Sequence, residues 1–436
     1  MQPGGGAADE TIETPPVRAN WRECRQCGLV STLPRMRPEL VADCPRCANT
    51  LWRMRRHPFE LPIACGLSAL LFYIYALVAP FLEISAYGRF QLARIETGPV
   101  ELGLQGFTLV GLLVLAVTVI FPGLKLGIVL VTLFGIKSRV VPARVLKAIF
   151  RWHGPIGPWA MVDVYLLGFL VAYTRLAAIA SVHLDTALYA LIGLMIMMAA
   201  TDAALDTEAV WRALDAADDP CDETPVTMTS AVIGCPTCGL VNRGADGDGC
   251  RRCGTRLRPR KTESVARAWA FVVAAMLLYI PANIYPVLLI TQLGASHGYT
   301  IMGGIFELAD YGLWPLAMLV FLASITIPLM KLLILGYVLI TTQTRSAETL
   351  LARTRAFRLI DFIGRWSMID VFMISILVAL VRFGQVSNIH AETGAPCFAA
   401  VVVLTMFAVS SFDPRLMWDA LQPDDMNVNT QEAAGI

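Results

Sequence analysis

Cys235-Pro-Thr-Cys238 and Cys250-Arg-Arg-Cys253 bracket a short polar segment, and the apolar run Trp269-Ala-Phe-Val-Val-Ala-Ala-Met-Leu-Leu-Tyr-Ile280 follows. The same order stands earlier in the chain. Cys24-Arg-Gln-Cys27 and Cys44-Pro-Arg-Cys47 precede an apolar run that begins at Leu61. Subtraction makes the repeat quantitative. Cys44 and Cys47 return as Cys250 and Cys253, an interval of 206 (250 − 44), and Pro80, Pro122 and Lys125 return as Pro286, Pro328 and Lys331 at that interval. After a one-residue slip to 207 (366 − 159), Trp159, Asp163, Arg175, His183, Asp206 and Trp211 return as Trp366, Asp370, Arg382, His390, Asp413 and Trp418. An interval held over that length is the mark of a duplicated module, and internal pseudosymmetry in a membrane protein is a feature of transporter folds.

Composition sets the class. The chain is 56% hydrophobic and 16% charged, with mean hydropathy +0.60, against about 25% charged in soluble domains. The net charge of +1 argues against a nucleic-acid binder, which would carry a strongly basic domain. The polar first twenty residues, with Gly4–Gly6, Pro15 and Pro16, read as a disordered tail with no cleavable signal peptide.

Apolar stretches long enough to cross about 30 Å of hydrocarbon predict eight spans, four per module. They lie near Leu61–Ile84, Leu109–Gly135, Trp159–Ala180 and Ala187–Thr201, then Trp269–Ile290, Leu313–Ile340, Trp366–Val381 and Cys397–Val409. The predicted fold is therefore an all-α polytopic membrane protein of two tandem modules, each a cytoplasmic zinc ribbon followed by a four-helix transmembrane bundle. The expected boundaries are a tail at 1–20, ribbon 1 at 21–56, bundle 1 at 57–210, a linker at 211–230, ribbon 2 at 231–260, bundle 2 at 261–420 and a C-terminal tail at 421–436. Lys137, Arg139, Arg144, Lys147 and Arg151 join spans two and three, and Arg345, Arg353, Arg355, Arg358 and Arg365 hold the matching place. By the positive-inside rule these segments, both ribbons and both termini are cytoplasmic.

The cysteine spacing points to metal. Each pair of CxxC knuckles, sixteen residues apart in the first module and eleven in the second, supplies four thiolates for one tetrahedral ion. Cys24, Cys27, Cys44 and Cys47 form one set; Cys235, Cys238, Cys250 and Cys253 form the other. Structural Zn2+, two ions per chain, is the expected cofactor, with iron the alternative at a four-thiolate site. A reducing cytoplasm disfavours disulfides. Cys65, Cys221 and Cys397 recur nowhere and read as packing or surface thiols.

Ionisable residues inside a bilayer cost at least about 2.5 kcal/mol each, so they face the protein interior and mark function. Both modules place a lysine three residues after the second-span proline, Lys125 and Lys331. Both place an aspartate four residues after a tryptophan, Asp163 and Asp370. A lysine–aspartate pair between neighbouring helices is expected in each bundle, near the cytoplasmic ends of the spans, where snorkelling is the plainer explanation. The second module adds Ser324, Ser367 and Thr405, so the working network is expected there. His183 and His390 fall in outer loops.

The phrases Leu278-Tyr-Ile-Pro-Ala-Asn283, Ile363-Gly-Arg-Trp-Ser-Met-Ile-Asp370-Val371-Phe372 and Arg415-Leu-Met-Trp418-Asp419 resemble the paraquat-inducible protein A (PqiA) family, on its LetA/YebS-like branch. The resemblance covers nearly the whole chain. It implies a multi-pass protein of the bacterial inner membrane, partnered with an MCE-domain protein whose rings form a periplasmic tunnel, and lipid transport between membranes with phospholipid as cargo. It also implies that Ser324, Lys331, Ser367, Asp370 and Thr405 form a polar network suggested to couple protons, with Lys125 and Asp163 as pseudo-equivalents. No P-loop is present, so no intrinsic ATP hydrolysis is expected, and no catalytic constellation marks an enzyme. A membrane scaffold that only anchors the tunnel, or a metal- or redox-sensing membrane protein, are the competing classes.

Overall fold

The computed structural model describes residues 21–33, 40–86, 89–177, 181–217, 232–292, 295–346, 348–380 and 387–421. The predicted N-terminal tail, the C-terminal tail beyond Leu421, most of the linker and Cys221 lie outside them. Among the described residues, eight helices are long and apolar enough to cross a membrane: Glu60–Val78, Thr108–Ser138, Ala143–Thr174, Thr186–Ala204, Ser264–Ile284, Trp314–Gln343, Leu350–Leu380 and Gly394–Ser411. The first and fifth end earlier than hydropathy suggested. Their apolar continuations, Leu82–Ala86 and Leu288–Gln292, are strands. The third and seventh begin earlier, because amphipathic helices Ala143–Phe150 and Leu350–Ile363 lead into them. Helix Thr207–Ala217 runs across the predicted boundary at 210.

Each module carries a three-stranded antiparallel sheet that the hydropathy reading did not separate from the spans. In the first, Leu82–Ala86 pairs with Arg89–Ala93 on one side and Ser181–Leu184 on the other. In the second, Leu288–Gln292 lies between Ala295–Tyr299 and Ser387–Ala391. These sheets connect span ends on one side of the molecule, while the ribbons and the basic connections lie at the opposite ends. The repeated histidines His183 and His390 sit on the third strand of each sheet, exposed.

The two bundles meet along the third and seventh spans. Gly168 lets them approach: a Cβ there would stand 2.9 Å from Phe372 Cβ and 3.0 Å from the Ile369 carbonyl. Tyr165 meets Phe372 edge-on at 5.6 Å beside it. One apolar core therefore runs through both modules.

The cysteine clusters of the ribbons pack across the modules, while Trp52 and Arg22 of ribbon 1 also bond Asp206 and Glu208 of its own module. Cys24, Cys27, Cys44 and Cys47 pack in one cluster with Leu335, Phe357, Phe412 and Trp418 of the second bundle. Cys235, Cys238, Cys250 and Cys253 pack with Leu146, Phe150, Trp211 and Leu214 of the first. Arg358 donates to the carbonyls of Cys47 and Ala48, and Arg46 stacks over Trp418 at 5.2 Å. Across the pseudosymmetric contact, Arg252 pairs with Asp215 at 2.6 Å and with Glu208 at 3.3 Å. The ribbons also touch one another: Gly234 N–H donates to Glu23 at 2.7 Å and Arg25 to the Thr237 carbonyl at 3.0 Å.

Candidate metal centres and membrane polar network

Each ribbon knuckle is a tight turn in which the residue after the second cysteine takes a left-handed conformation. Gly28, Gly239 and Gly254 do so with φ of +73°, +73° and +70°, and Ala48 does so with φ 52°. Backbone N–H groups close the turns, Gly28 to the Cys24 carbonyl at 2.9 Å and Gly254 to Cys250 at 2.9 Å. The knuckles then face each other. The four ligand atoms of each set lie within 4.8 Å of one another, and all eight cysteines are buried. Cys24 and Cys47 sulfurs are 3.5 Å apart, Cys27 and Cys44 3.6 Å, Cys235 and Cys253 3.5 Å, Cys238 and Cys250 3.6 Å. A tetrahedral ion with 2.3 Å metal–sulfur bonds sets its thiolates about 3.8 Å apart, so both sets fit one. In the second ribbon Asn242 adds an N–H bond to Cys250 Sγ at 3.5 Å. A cluster closed by four buried thiolates leaves no side for a substrate, which is the arrangement of a structural centre.

The second-span proline explains the membrane site. Proline removes the N–H that would bond the carbonyl four residues earlier, here Thr118 and Ser324. Both helices answer with a π-helical turn, Ala116–Ile120 and Leu322–Thr326, one before each proline. Tyr73 and Tyr279 on the first and fifth spans then donate to turn carbonyls, Val119 at 2.9 Å and Ile325 at 3.3 Å. Thr118 and Ser324 bond back to Val114 and Val320, each at 2.7 Å. π-turns inside helices concentrate at functional sites. Thr118 (324 − 206) and the tyrosine pair (279 − 73 = 206) were legible by the same subtraction that exposed the repeat.

Lys331 follows the second π-turn. It is the eighteenth of the thirty residues of Trp314–Gln343 (331 − 314 + 1), so it lies at mid-span, and it is 1% exposed. Snorkelling does not describe it, because the ammonium is enclosed by protein. Its ammonium donates to Thr405 Oγ1 at 2.8 Å, the Gly364 carbonyl at 3.2 Å and Ser367 Oγ at 3.4 Å. All three are neutral oxygens, and the expected bond to Asp370 is not among them. Gly364 and Ser367 belong to the short 3₁₀ segment Gly364–Met368 that breaks the seventh span. That break turns the Gly364 carbonyl toward the lysine, and the glycine allows the contact: a Cβ would stand 3.2 Å from Lys331 Cε.

Asp370 starts the next helical segment one turn later, is buried, and lines a small cavity with Tyr299, Thr300 and Phe398 toward the sheet side. Ser324 lies within the π-turn, seven residues before Lys331 (331 − 324), and bonds within its own helix. The structure therefore joins Lys331, Ser367 and Thr405 directly, and does not bring Ser324 or Asp370 into hydrogen-bonding contact with them. In the first module Lys125 pairs with Asp202 of the fourth span at 2.6 Å, not with Asp163, which is half-buried in the first turn of Val162–Ala177. Position 160 is alanine and position 198 methionine where the second module has Ser367 and Thr405, so a carboxylate takes the place of the hydroxyl cage.

Eight spans in two duplicated halves, each half headed by a buried four-cysteine centre, define a multi-pass membrane protein. The model of the family described as PqiA, paraquat-inducible protein A, matches residues 59–215 and 265–422, one match per module, and the chain belongs to that family. It is 29% identical over 411 residues to the intermembrane transport protein PqiA of Escherichia coli strain K12, covering 92% of this chain and 96% of that one. It is 28% identical over 407 residues to the lipophilic envelope-spanning tunnel protein A of the same strain, covering 92% of each. A probable intermembrane transport protein of Haemophilus influenzae is 25% identical over 415 residues, covering 93% of this chain and 97% of that one. No solved structure matches it.

Proposed function

We propose that this chain is the inner-membrane subunit of an MCE-type intermembrane lipid transport system, loading or unloading phospholipid at a periplasmic tunnel protein. Both ribbons and both termini lie in the cytoplasm, and each ribbon holds one structural Zn2+. The observation that carries the reading is Lys331: an ammonium group buried at mid-span among neutral oxygens. A buried cation hydrogen-bonded only to neutral oxygens, with the Asp361 carboxylate acting on it without a direct bond, is costly to the fold, and packing alone would be served better by methionine. Its retention fits a group that changes charge state during a cycle, with Ser367 and Thr405 cradling it and Asp370 one turn away as the second titrating site. Proton coupling through this network supplies energy to a chain with no P-loop.

The test pairs transport with folding. In a strain lacking parallel lipid-transport systems, Lys331→Met and Asp370→Asn should each abolish barrier function while the protein still reaches the membrane. Full barrier function in both variants would leave a scaffold that only anchors the tunnel. An introduced cysteine replacing Ser296 should react with a membrane-impermeant reagent in intact cells, and one in the 345–358 segment should not.

A further inference from the structure

A cavity of about 1070 Å³ lies between the two bundles on the ribbon side. It is larger than the roughly 300–1,000 Å³ of a pocket for a drug-sized ligand. It reaches from Ser410 and Lys261, where the eighth span ends and the fifth begins, down to Lys125 and Lys331 at mid-span. Gln26 and Asn49 of the first ribbon close it from above.

Its wall is amphipathic and its charge is one-sided. Trp159, Phe362 and Met406 supply an apolar face, and Phe362 is 62% exposed. Trp159 packs against Phe407 with ring centroids 5.5 Å apart and planes tilted by 48°, joining the two modules beside the opening. Five cations and two carboxylates line the space, an excess of three positive charges (5 − 2). Lys125 is neutralised by Asp202. Lys261 gives its ammonium to the backbone carbonyls of Ser410 at 2.6 Å and Phe412 at 3.1 Å, which hold it in place without cancelling its charge. Arg358 is held likewise by ribbon carbonyls. Asp361 is shared among Arg365, Lys261 and Lys331, and Asp413 also faces Lys261, so no one of these cations is fully neutralised by a carboxylate of its own on the wall and the excess positive charge is spread along it. Basic pockets between membrane helices at the cytoplasmic side take anionic lipid headgroups, and the aromatic face beneath suits an acyl chain.

We infer that this crevice binds one phospholipid of the ribbon-side leaflet, its phosphate held by Arg365 and Lys261 and an acyl chain laid along Trp159, Phe362 and Met406. The assignment rests on the lipid-transport reading for its purpose, as the place where cargo leaves the leaflet, but the binding can be measured without transport.

A photoreactive benzoylphenylalanine is placed at Met406 inside the crevice and, as an annular control, at Leu333, which is 62% exposed on the sixth span. Cells expressing the full chain are labelled with radioactive phosphate and irradiated. Labelled phospholipid should be captured at Met406 several-fold more than at Leu333. Arg365→Glu with Lys261→Gln should return capture at Met406 to the control level at unchanged membrane abundance, and Arg365→Gln alone should give an intermediate loss. Equal capture at the two positions overturns the assignment. So does capture that the charge changes leave intact, or capture that excess inorganic phosphate abolishes, which would mark a site for the free anion. Lost capture with intact barrier function removes the crevice from the transport route and leaves the transport reading standing. Lost barrier function in Lys331→Met with capture intact supports both.

Discussion

Lys331 Nζ on the sixth span lies 2.8 Å from the hydroxyl of Thr405 on the eighth, and Thr405 in turn donates to the Val402 carbonyl at 2.8 Å. Ser367 likewise donates to the Gly364 carbonyl at 2.8 Å. The cage around the ammonium is thus satisfied with or without the lysine. Lys331→Met should therefore fold within about 1 kcal/mol of the parent, or more stably, because removing a buried charge leaves no orphaned donor. Thr405→Val keeps the charge and deletes a partner, and should cost about 2 kcal/mol. Thermal unfolding midpoints in detergent check the order. A midpoint for Lys331→Met far below that of Thr405→Val would contradict it.

The first module should answer differently. Asp202 is 45% exposed, so water screens the Lys125 pair and its loss is mild. Lys125→Met should shift stability by no more than about 1 kcal/mol, and barrier function in cells should fall far less than with Lys331→Met.

Because the cysteine clusters pack across the modules, metal loss should act at a distance in sequence. Metal analysis should give two ions per chain and one in Cys27→Ser. In that variant amide exchange should quicken along Leu350–Ile363, where Arg358 grips Cys47, and stay slow along Ala143–Phe150. Cys250→Ser should reverse the pattern. Exchange that quickens in the adjoining bundle of the same module instead would refute the crossed docking.

Ala48 occupies a left-handed position that its three counterparts fill with glycine. An L-residue there costs roughly 1 kcal/mol, and that energy is worth about fivefold in an equilibrium. Ala48→Gly should slow metal release from ribbon 1 to a chelator by about that factor. Gly254→Ala should speed release from ribbon 2 comparably, since a Cβ at 254 meets no atom within 4 Å and only the backbone conformation opposes it.

Asp413 caps the final turn, accepting from Arg415 N–H at 3.2 Å and from Lys261 N–H at 3.0 Å. Burial works against its carboxylate, but the hydrogen bonds and charge of Arg415 outweigh it and leave Asp413 below its ordinary value. A depressed folded value gives stability that is complete above the unfolded value of about 3.9 and is lost as pH falls through the folded one. Asp413→Asn should lower stability at neutral pH and flatten this acid limb. An unchanged limb in acid unfolding curves would assign it to other carboxylates.

Much of the protein is fixed by local chemistry that a sequence displays. Cysteine spacing sets the two four-cysteine clusters because a knuckle is built within a few residues. Hydropathy sets eight spans because a bilayer demands about twenty apolar residues whatever surrounds them, and the repeat interval sets the two modules. The outer sheets escaped because Leu82–Ala86 and Leu288–Gln292 are apolar strands continuous with apolar helices, and hydropathy has no period to separate them. Tertiary structure alone decided the partners. Lys331 meets Thr405 and Ser367 instead of Asp370 because a π-turn before Pro328 and a 3₁₀ break at Gly364 rotate both helices, and neither rotation is readable from spacing. Each cysteine cluster docks on the other module's bundle because burial of Trp418 and Trp211 depends on how the chain returns on itself in space, and the sequence carries only the order in which the pieces are joined.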